Sequence, residues 1–448
     1  MSNETNTDDK ALPERTAAEA GWHVSRYNVM AGLPGSDKLV IFNTLTRSCG
    51  AFAPIELYAM RALGELSEDS PFVHHLARYG VIVNYDERES LEAEGRMASS
   101  TPEDDAVMVT ICPTMACNFE CPYCFEDRGR GKMSPEVQDD VVALVCRMLD
   151  ASHAGMLRIT WFGGEPLLAK DVIESLSQRL IAAADERGCA YNAWIFTNGY
   201  LIDQDVVDLL MRCRIEHVHI PLDGVGATND ASRRLVGGGP TFDRIVDNLR
   251  LLKPPIRTLI RANTHKGNVA QLDVLKELVS KRAEETGNHI SYYAASLVDV
   301  SPVDVQGSPM ADYAYDGIEV SLRPENRHVS VGVDHSCGAH NLWMVTIDDE
   351  GRLYKCGGKS VGKPRFAYAT ARDWDPRNPL VTASNPDMLA KYLNTCVPLS
   401  DEECRECAWL PMCGGGCPHL RLFGKHKCPA YRNDPEPFVR AMYERTRR

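Results

Sequence analysis

Short β-prone runs alternate with longer helical stretches through the middle of this chain, and this alternation restricts its fold more than any other feature. The β-prone runs cover residues 107–111, 157–162, 191–197, 218–222, 259–263 and 290–294. The helical stretches cover residues 134–149, 171–187, 203–213, 242–252 and 269–285. Repeated β-then-α units predict a parallel sheet with functional groups at the carboxyl ends of its strands. With about six such units, we predict an α/β fold, a partial (β/α)6 TIM-like barrel.

Three cysteines follow the first predicted strand with the spacing C-x3-C-x2-C, at Cys117, Cys121 and Cys124. Three thiolates can hold a 4Fe-4S cluster and leave one of its irons open to a further ligand. The alternatives are a zinc site or an ordinary loop, because short cysteine motifs also occur by chance. The residues at the following strand ends therefore decide the interpretation.

Groups that suit a charged cofactor follow the later predicted strands. Gly163-Gly164-Glu165 comes after the second strand and Asn198 after the third, while Asp223 and then Arg233 come after the fourth. Glycines allow a close approach to backbone groups, and an arginine fork suits a carboxylate. Together with the cysteines, these residues resemble the radical S-adenosylmethionine (AdoMet) enzymes. The resemblance implies that the three cysteines are the catalytic cluster ligands and that AdoMet is bound by Tyr123, Gly163, Gly164, Glu165, Asn198, Asp223, Arg233 and Arg261.

A second group of cysteines lies in the last quarter of the chain. Their spacing resembles the SPASM extension of radical-AdoMet enzymes, which carries two auxiliary 4Fe-4S clusters. The resemblance implies one cluster on Cys404, Cys407, Cys413 and Cys428, and another on Cys337, Cys356 and Cys417. The fourth ligand of the second cluster stays open between Cys396, a substrate thiolate and none. The alternative for this region is a zinc ribbon, since C-x2-C spacing favours tetrahedral zinc.

The N-terminal region has a different pattern. It predicts a hairpin over residues 22–45, helices over 54–66 and 71–79, and a short strand over 81–84. This resembles the small winged-helix element of peptide maturases, whose strand edge could accept a leader peptide; a simple packing subdomain is the alternative. We thus predict a recognition domain at 22–85, a linker at 86–106, the radical-AdoMet core at 107–320 and the SPASM domain at 330–435.

Charge and hydropathy restrict the partners. The net charge of -13 argues against nucleic acid, which is bound by clustered Lys and Arg. We find neither a signal peptide nor an apolar run of roughly 18 residues. We therefore expect a cytoplasmic protein without a membrane partner. The resemblance implies a precursor peptide or protein as substrate, and flavodoxin or ferredoxin as electron donor.

These patterns predict a radical-AdoMet/SPASM enzyme with three 4Fe-4S clusters that forms a thioether or carbon-carbon cross-link in a ribosomally made peptide. The alternative reaction is oxidation of Cys or Ser to formylglycine. Anaerobic sulfatase maturases place an acid directly after the cysteine that matches Cys356, however, and this chain has Gly357 there. An alternative of a different class is a zinc-stabilised peptide-binding protein without catalytic activity.

Overall fold

The structure is a computed structural model that describes residues 15–84, 105–126, 129, 131–296, 338–358, 360–395, 398–423 and 428–447. Cys337, Cys396 and nearly all of the expected linker lie outside the described residues. The chain divides into two compact units. The smaller unit combines Met1–Ala98 with Glu406–Cys413 and Pro429–Arg448, and the larger combines Ser99–Arg405 with Gly414–Cys428.

The larger unit is built on one sheet with a parallel centre. Its six consecutive parallel strands pair in chain order, so each strand lies beside the next. They are β6 (Ala106–Ile111), β7 (Met156–Trp161), β8 (Ala190–Phe196), β9 (Ile215–Pro221), β10 (Arg257–Thr264) and β11 (His289–Ser296). The connecting helices are Pro135–Ser152, Lys170–Asp185, Gln204–Arg212, Ala227–Ser232, Phe242–Asn248 and Leu272–Thr286. The prediction of a central parallel sheet is confirmed.

An unpredicted extension lengthens this sheet beyond β6. Strand β12 (Met344–Ile347) pairs parallel to β6, and β13 (Arg352–Tyr354) and β14 (Ala369–Thr370) continue the sheet in antiparallel pairs. Short helices of this unit follow at Pro386–Ala390, Glu402–Arg405 and Pro418–Arg421. Residues after 337 therefore contribute to the same sheet that carries the first cysteine motif.

The two faces of the parallel strands differ in chemistry. On β7, Leu157, Ile159 and Trp161 are fully buried in the core that the helices form with the sheet. The alternate residues, such as Arg158 and Thr160, are half-buried on the other face. Side chains alternate between faces along a strand. The face turned away from the helices is therefore the polar one, and we call it the inner face.

The smaller unit contains a three-stranded antiparallel sheet of β2 (Asn28–Gly32), β3 (Leu39–Asn43) and β4 (Cys49–Phe52). The predicted hairpin corresponds to β2 and β3, whereas β4 was not predicted. Helices Pro54–Arg61 and Pro71–Arg78 follow, and β1 (His23–Val24) pairs with β5 (Ile82–Val83). This unit also contains the helices Leu410–Cys413, Ala430–Asn433 and Glu436–Thr446.

The C-terminal helix of the smaller unit packs against its N-terminal sheet. The rings of Phe42 and Phe438 lie 5.8 Å apart edge to face, and both side chains are fully buried. Arg440 Nε donates a hydrogen bond of 2.8 Å to the carbonyl of Gly32. The two ends of the chain therefore fold into one core.

Among the described residues, no helix combines the length and the apolar character needed to cross a bilayer.

Candidate functional site

The three motif cysteines lie in the loop after β6 and line one cavity of about 380 Å³. Loops and strand ends from β7 to β10 complete its wall. The other lining residues are Phe119, Tyr123, Phe125, Glu126, Phe162, Gly163, Gly164, Phe196, Thr197, Asn198, His219, Ile220, Pro221, Arg233, Arg261 and Asn263. Of the residues predicted to bind the cofactor, six line this cavity: Tyr123, Gly163, Gly164, Asn198, Arg233 and Arg261. Glu165 and Asp223 lie behind it.

The two glycines after β7 are required by the backbone of the cysteine loop. A Cβ atom on Gly164 would lie 2.2 Å from the carbonyl oxygen of Ala116, and one on Gly163 would lie 2.5 Å from that of Thr114. Gly163 also has a φ of +108°, which L side chains rarely adopt. From the sequence, these glycines are predicted to allow a ligand close to the backbone. The structure adds a second reason, which is close packing of the two loops.

Glu165 braces the second strand end against the third. Its carboxylate accepts hydrogen bonds from the backbone N–H of Asn198 (2.7 Å), the hydroxyl of Thr197 (2.7 Å) and the N–H of Leu167 (3.0 Å). Its side chain is fully buried. Burial raises the pKa of this carboxyl to about 7, even though the three donors favour the ionised form. Glu165 thus holds Asn198 in the cavity wall, and direct contact with AdoMet stays a prediction.

Asp223 occupies the corresponding position after β9. Its carboxylate accepts hydrogen bonds from the Tyr123 hydroxyl and from both the backbone N–H (3.1 Å) and the side-chain amide (3.2 Å) of Asn263. Arg233 donates to the Tyr123 hydroxyl at 2.7 Å and lies 3.8 Å from the Asp223 carboxylate. Burial raises the pKa of Tyr123 well above its usual range, so the phenol stays protonated. This chain of bonds ties the cysteine loop to the ends of β9 and β10.

Two asparagines, Asn118 and Asn268, complete the framework, and neither was predicted from the sequence as a site residue. Asn118, inside the cysteine motif, accepts a hydrogen bond of 2.7 Å from the side chain of Asn198. Asn268 donates to the carbonyls of Asp223 (2.6 Å) and Asn263 (2.8 Å). Asparagine enrichment at predicted strand ends was the available signal, since Asn side chains readily bond backbone groups of neighbouring loops.

The cavity lining fits an iron-sulfur cluster with a zwitterionic cofactor. Its three thiols are accompanied by two guanidinium groups, those of Arg233 and Arg261, and by a tight glycine loop. Burial raises the pKa of Cys117 to about 12 and also raises that of Cys124, so cluster assembly must displace these protons. Within the described residues, no three Cys, His, Asp or Glu side chains converge as ligands of a single metal ion. Thiolates of a cubane cluster bind different irons and need not converge on one point.

The C-terminal cysteines are divided between the two units. Cys356, Cys404, Cys417 and Cys428 belong to the larger unit, and Cys407 and Cys413 to the smaller. Arg421 donates a hydrogen bond of 2.7 Å to the sulfur of Cys404. Burial raises the pKa of Cys404, and this arginine opposes the increase. The predicted ligand sets of the two auxiliary clusters stay predictions.

Comparison with known proteins assigns the family. Residues 111–268 match the family model of the radical SAM superfamily. The chain is 30% identical over 348 residues to Fe-coproporphyrin III synthase of Methanosarcina barkeri, covering 70% of this chain and 83% of that protein. The chain therefore belongs to the radical SAM superfamily and is an enzyme. Members of this superfamily use AdoMet and a 4Fe-4S cluster.

Two further relatives act on peptides or proteins, according to their names. The cysteine-type anaerobic sulfatase-maturating enzyme of Clostridium perfringens is 23% identical over 337 residues, covering 68% of this chain and 86% of that enzyme. PqqA peptide cyclase of Gluconobacter oxydans is 25% identical over 319 residues, covering 68% of this chain and 83% of that enzyme.

Solved structures share the fold. The structure of anSMEcpe with bound AdoMet and a peptide superposes with a TM-score of 0.56 at 17% identity, covering 76% of this chain and 97% of that one. SuiB of Streptococcus suis, bound to its precursor peptide SuiA, superposes with a TM-score of 0.51 at 16% identity, covering 91% of this chain and 98% of SuiB. At these identities the likeness establishes the fold and nothing further.

Proposed function

We propose that this enzyme is a peptide maturase that forms a thioether or carbon-carbon cross-link in a ribosomally made peptide. The observation that carries the proposal is the cavity in which Cys117, Cys121 and Cys124 meet the glycine loop and both arginines. The relatives named PqqA peptide cyclase and sulfatase-maturating enzyme support a peptide or protein as substrate. When bound, the cluster and AdoMet supply a 5′-deoxyadenosyl radical for hydrogen abstraction.

The residues in and around the cavity have distinct roles in this proposal. The three cysteines hold the cluster, and Tyr123, Gly163, Gly164, Asn198, Arg233 and Arg261 surround AdoMet. Glu165 and Asp223 are the braces that fix these groups, because their oxygens already accept hydrogen bonds from the protein. Phe119, Phe162 and Phe196 make the cavity apolar and exclude water from the reacting groups.

The auxiliary clusters are part of the same proposal. We assign one to Cys404, Cys407, Cys413 and Cys428 and the other to Cys337, Cys356 and Cys417. Cross-linking requires loss of a hydrogen atom and then of an electron from the substrate, and iron-sulfur clusters are suitable electron acceptors. The partial (β/α)6 barrel, the SPASM domain at 330–435 and the core at 107–320 are the proposed domain framework.

The smaller unit is the proposed recognition element for the substrate, with the winged-helix-like part at 22–85. Support comes from its antiparallel sheet, in which β2 and β4 are the outer strands. An outer strand can pair with an extended peptide through backbone hydrogen bonds. Amide hydrogen exchange of the intact enzyme tests this: precursor peptide should protect amides of β2 or β4, whereas protection confined to the larger unit would reduce this sheet to a packing element.

The reaction itself is tested with precursor peptides encoded beside the gene, incubated anaerobically with AdoMet and a reductant. A cross-link removes two hydrogens from the peptide and leaves its sulfur in place. Peptide deuterated at the reacting position should transfer deuterium to 5′-deoxyadenosine. AdoMet cleavage without any change of peptide mass across the neighbouring reading frames would refute the peptide proposal.

A second candidate reaction is formylglycine formation, favoured by the long match to the sulfatase-maturating enzyme. Oxidation of a cysteine to formylglycine removes the sulfur and creates an aldehyde, which a hydrazine probe detects. The residue after Cys356 is Gly357, so this chain lacks an acid at the position where the sulfatase maturases carry one. The cross-linking reaction is therefore preferred.

A further inference from the structure

The side chains of two polar residues of the cavity wall, His219 and Arg261, take no part in the hydrogen bonds made by Glu165 and Asp223. His219 lies on β9 and Arg261 on the neighbouring strand β10, where Arg261 pairs with Pro221. His219 is two residues before Pro221, which places it about 7 Å deeper along the strand. Both side chains face the cavity. They therefore form a polar wall on the inner face, below the strand ends that carry Asp223 and Asn263.

This wall has two buried hydrogen-bonding atoms with no protein partner. Among the described residues, neither Nδ1 of His219 nor Nε of Arg261 has a hydrogen-bond partner. Buried polar groups in folded proteins are nearly always hydrogen-bonded, because an unsatisfied one costs about 1–3 kcal/mol. Two such atoms on one cavity wall indicate a bound group that satisfies both.

The surroundings fix the charge of each residue. The His219 ring stacks on Phe196, with centroids 4.3 Å apart, and on Trp194 at 5.3 Å. Burial, together with the nearby His217 and Arg261, lowers the pKa of His219 to about 4, so the ring is neutral near pH 7. A neutral imidazole donates one N–H. Arg261, by contrast, is always cationic, and its guanidinium lies 6.0 Å from the centre of the Tyr293 ring.

Unlike Arg233, Arg261 forms no ion pair with an acid of the described residues. Among its lining residues, Glu126 is the acid and Arg233 and Arg261 are the cations. Arg233 already bonds Tyr123 and lies beside Asp223. Ile220, Pro221 and Phe162 around the wall are apolar. The group that fits here is therefore a small anion on an apolar stem.

We propose that Arg261 and His219 bind a carboxylate of the peptide substrate and thereby position the residue that loses hydrogen. An arginine fork matches a planar carboxylate, and the imidazole N–H supplies a further donor. The inference rests on the proposed peptide-maturase function, and it names an acidic residue or a terminal carboxylate as the recognised group. The methionine carboxylate of AdoMet has the same chemistry, so the experiment must separate these two sources.

The test uses two blocked tripeptides, acetyl-Ala-Glu-Ala-amide and acetyl-Ala-Gln-Ala-amide, in anaerobic equilibrium dialysis with the cluster-loaded, AdoMet-bound enzyme. The wild type should bind the Glu peptide at least about tenfold more tightly than the Gln peptide, which corresponds to a difference in binding free energy of about 1.4 kcal/mol. Arg261→Met and His219→Phe should reduce this preference, while Arg261→Lys should retain part of it. His217→Phe is the matched control, since the His217 ring packs against Trp194 with centroids 4.8 Å apart and His217 does not line the cavity.

Three results would overturn the inference. The first is equal affinity for the two peptides, including no binding of either, and the second is an unchanged preference in Arg261→Met. The third is weaker AdoMet binding by both His219→Phe and Arg261→Met without peptide, which would assign the wall to the cofactor carboxylate. Wild-type enzyme that cleaves AdoMet but shows no preference refutes only this inference. Failure to cleave AdoMet refutes the proposed function itself.

Discussion

At the scale of single residues, two buried acids, Glu165 and Asp223, connect the ends of neighbouring strands around the cavity. The family resemblance implies that Glu165 and Asp223 contact the cofactor, and this contact stays a prediction. In the structure their carboxylates accept hydrogen bonds from Asn198 and Asn263 and lie behind the cavity wall. Strand-end position was readable from the sequence, whereas the direction of each side chain depends on contacts between loops distant in sequence.

His219 could not have been recognised as a site residue from the sequence. It lies inside a strand, and a histidine among apolar residues is usually a core residue. Only the register of β8 and β9, which includes a shift between Ala193 and Trp194, places it beside Phe196. Its position in the cavity is a property of the assembled sheet.

Replacement of Cys121 should remove the cluster nearest the glycine loop. Cys121→Ala is expected to abolish formation of 5′-deoxyadenosine and to lower bound iron by about four atoms. Cleavage assays by liquid chromatography and iron analysis measure both quantities. Cys146→Ala, on the helix Pro135–Ser152, is the control and should retain both. AdoMet cleavage at the wild-type rate in Cys121→Ala would contradict the assignment of the motif.

Glu165 makes stability depend on pH. Because burial raises its pKa from 4.5 to about 7, the folded protein binds more protons than the unfolded chain between these values. Stability should therefore fall as pH rises across that interval. Glu165→Gln cannot ionise, so its melting temperature should fall less over the same range.

The control for this experiment is Glu186→Gln, whose side chain is 76% exposed. Thermal unfolding of cluster-free protein at several pH values measures the effect. If Glu165→Gln and wild type show parallel pH profiles, the carboxylate at Glu165 is not the titrating group.

At the scale of elements, the six parallel strands of the larger sheet were predictable from the sequence, whereas the rest of that sheet and part of the smaller unit were not. All six parallel strands overlap the β-prone runs, because alternate residues of each strand, such as Leu157, Ile159 and Trp161 on β7, are apolar and buried against the helices. Strand β4, Cys49–Phe52, contains a glycine and an alanine and lacks this signal. Strand β12 pairs with β6, which is far away in sequence, and β13 and β14 continue from β12, so no local sequence pattern predicts these pairings.

Phe438 should contribute strongly to the stability of the smaller unit. Its side chain is fully buried and touches the rings of Phe42, Trp409 and Tyr431. Phe438→Ala should reduce the free energy of unfolding of this unit by about 3–5 kcal/mol, as for other large core truncations.

Hydrogen exchange of the amides in β2 and β3 reports this change directly. The control is Glu444→Ala, an exposed position on the same helix. Unchanged protection in Phe438→Ala would mean that the N-terminal sheet is stable without the C-terminal helix.

At the scale of the whole molecule, the cysteines predict an iron content. Anaerobically reconstituted enzyme should hold about twelve irons, four for each of three clusters. Cys428→Ala should lower this number and impair peptide modification, while 5′-deoxyadenosine formation persists, because Cys428 is not part of the cavity that contains Cys117, Cys121 and Cys124. If the enzyme instead contains stoichiometric zinc and about four irons, the prediction of two auxiliary clusters is wrong and the C-terminal cysteines bind zinc.

The shared core of the two chain ends has a consequence for biosynthesis. Strands β2 and β3 leave the ribosome early, yet Phe438 and Arg440, which cover them, are translated only after the whole parallel sheet. The N-terminal sheet therefore keeps an uncovered apolar surface while the larger unit is synthesised. A ribosome that stalls after β14 would release a chain with an intact set of parallel strands and an unfinished N-terminal unit. Such a product would lack Phe438, whose ring packs against Phe42, and would be a target for chaperones and proteases.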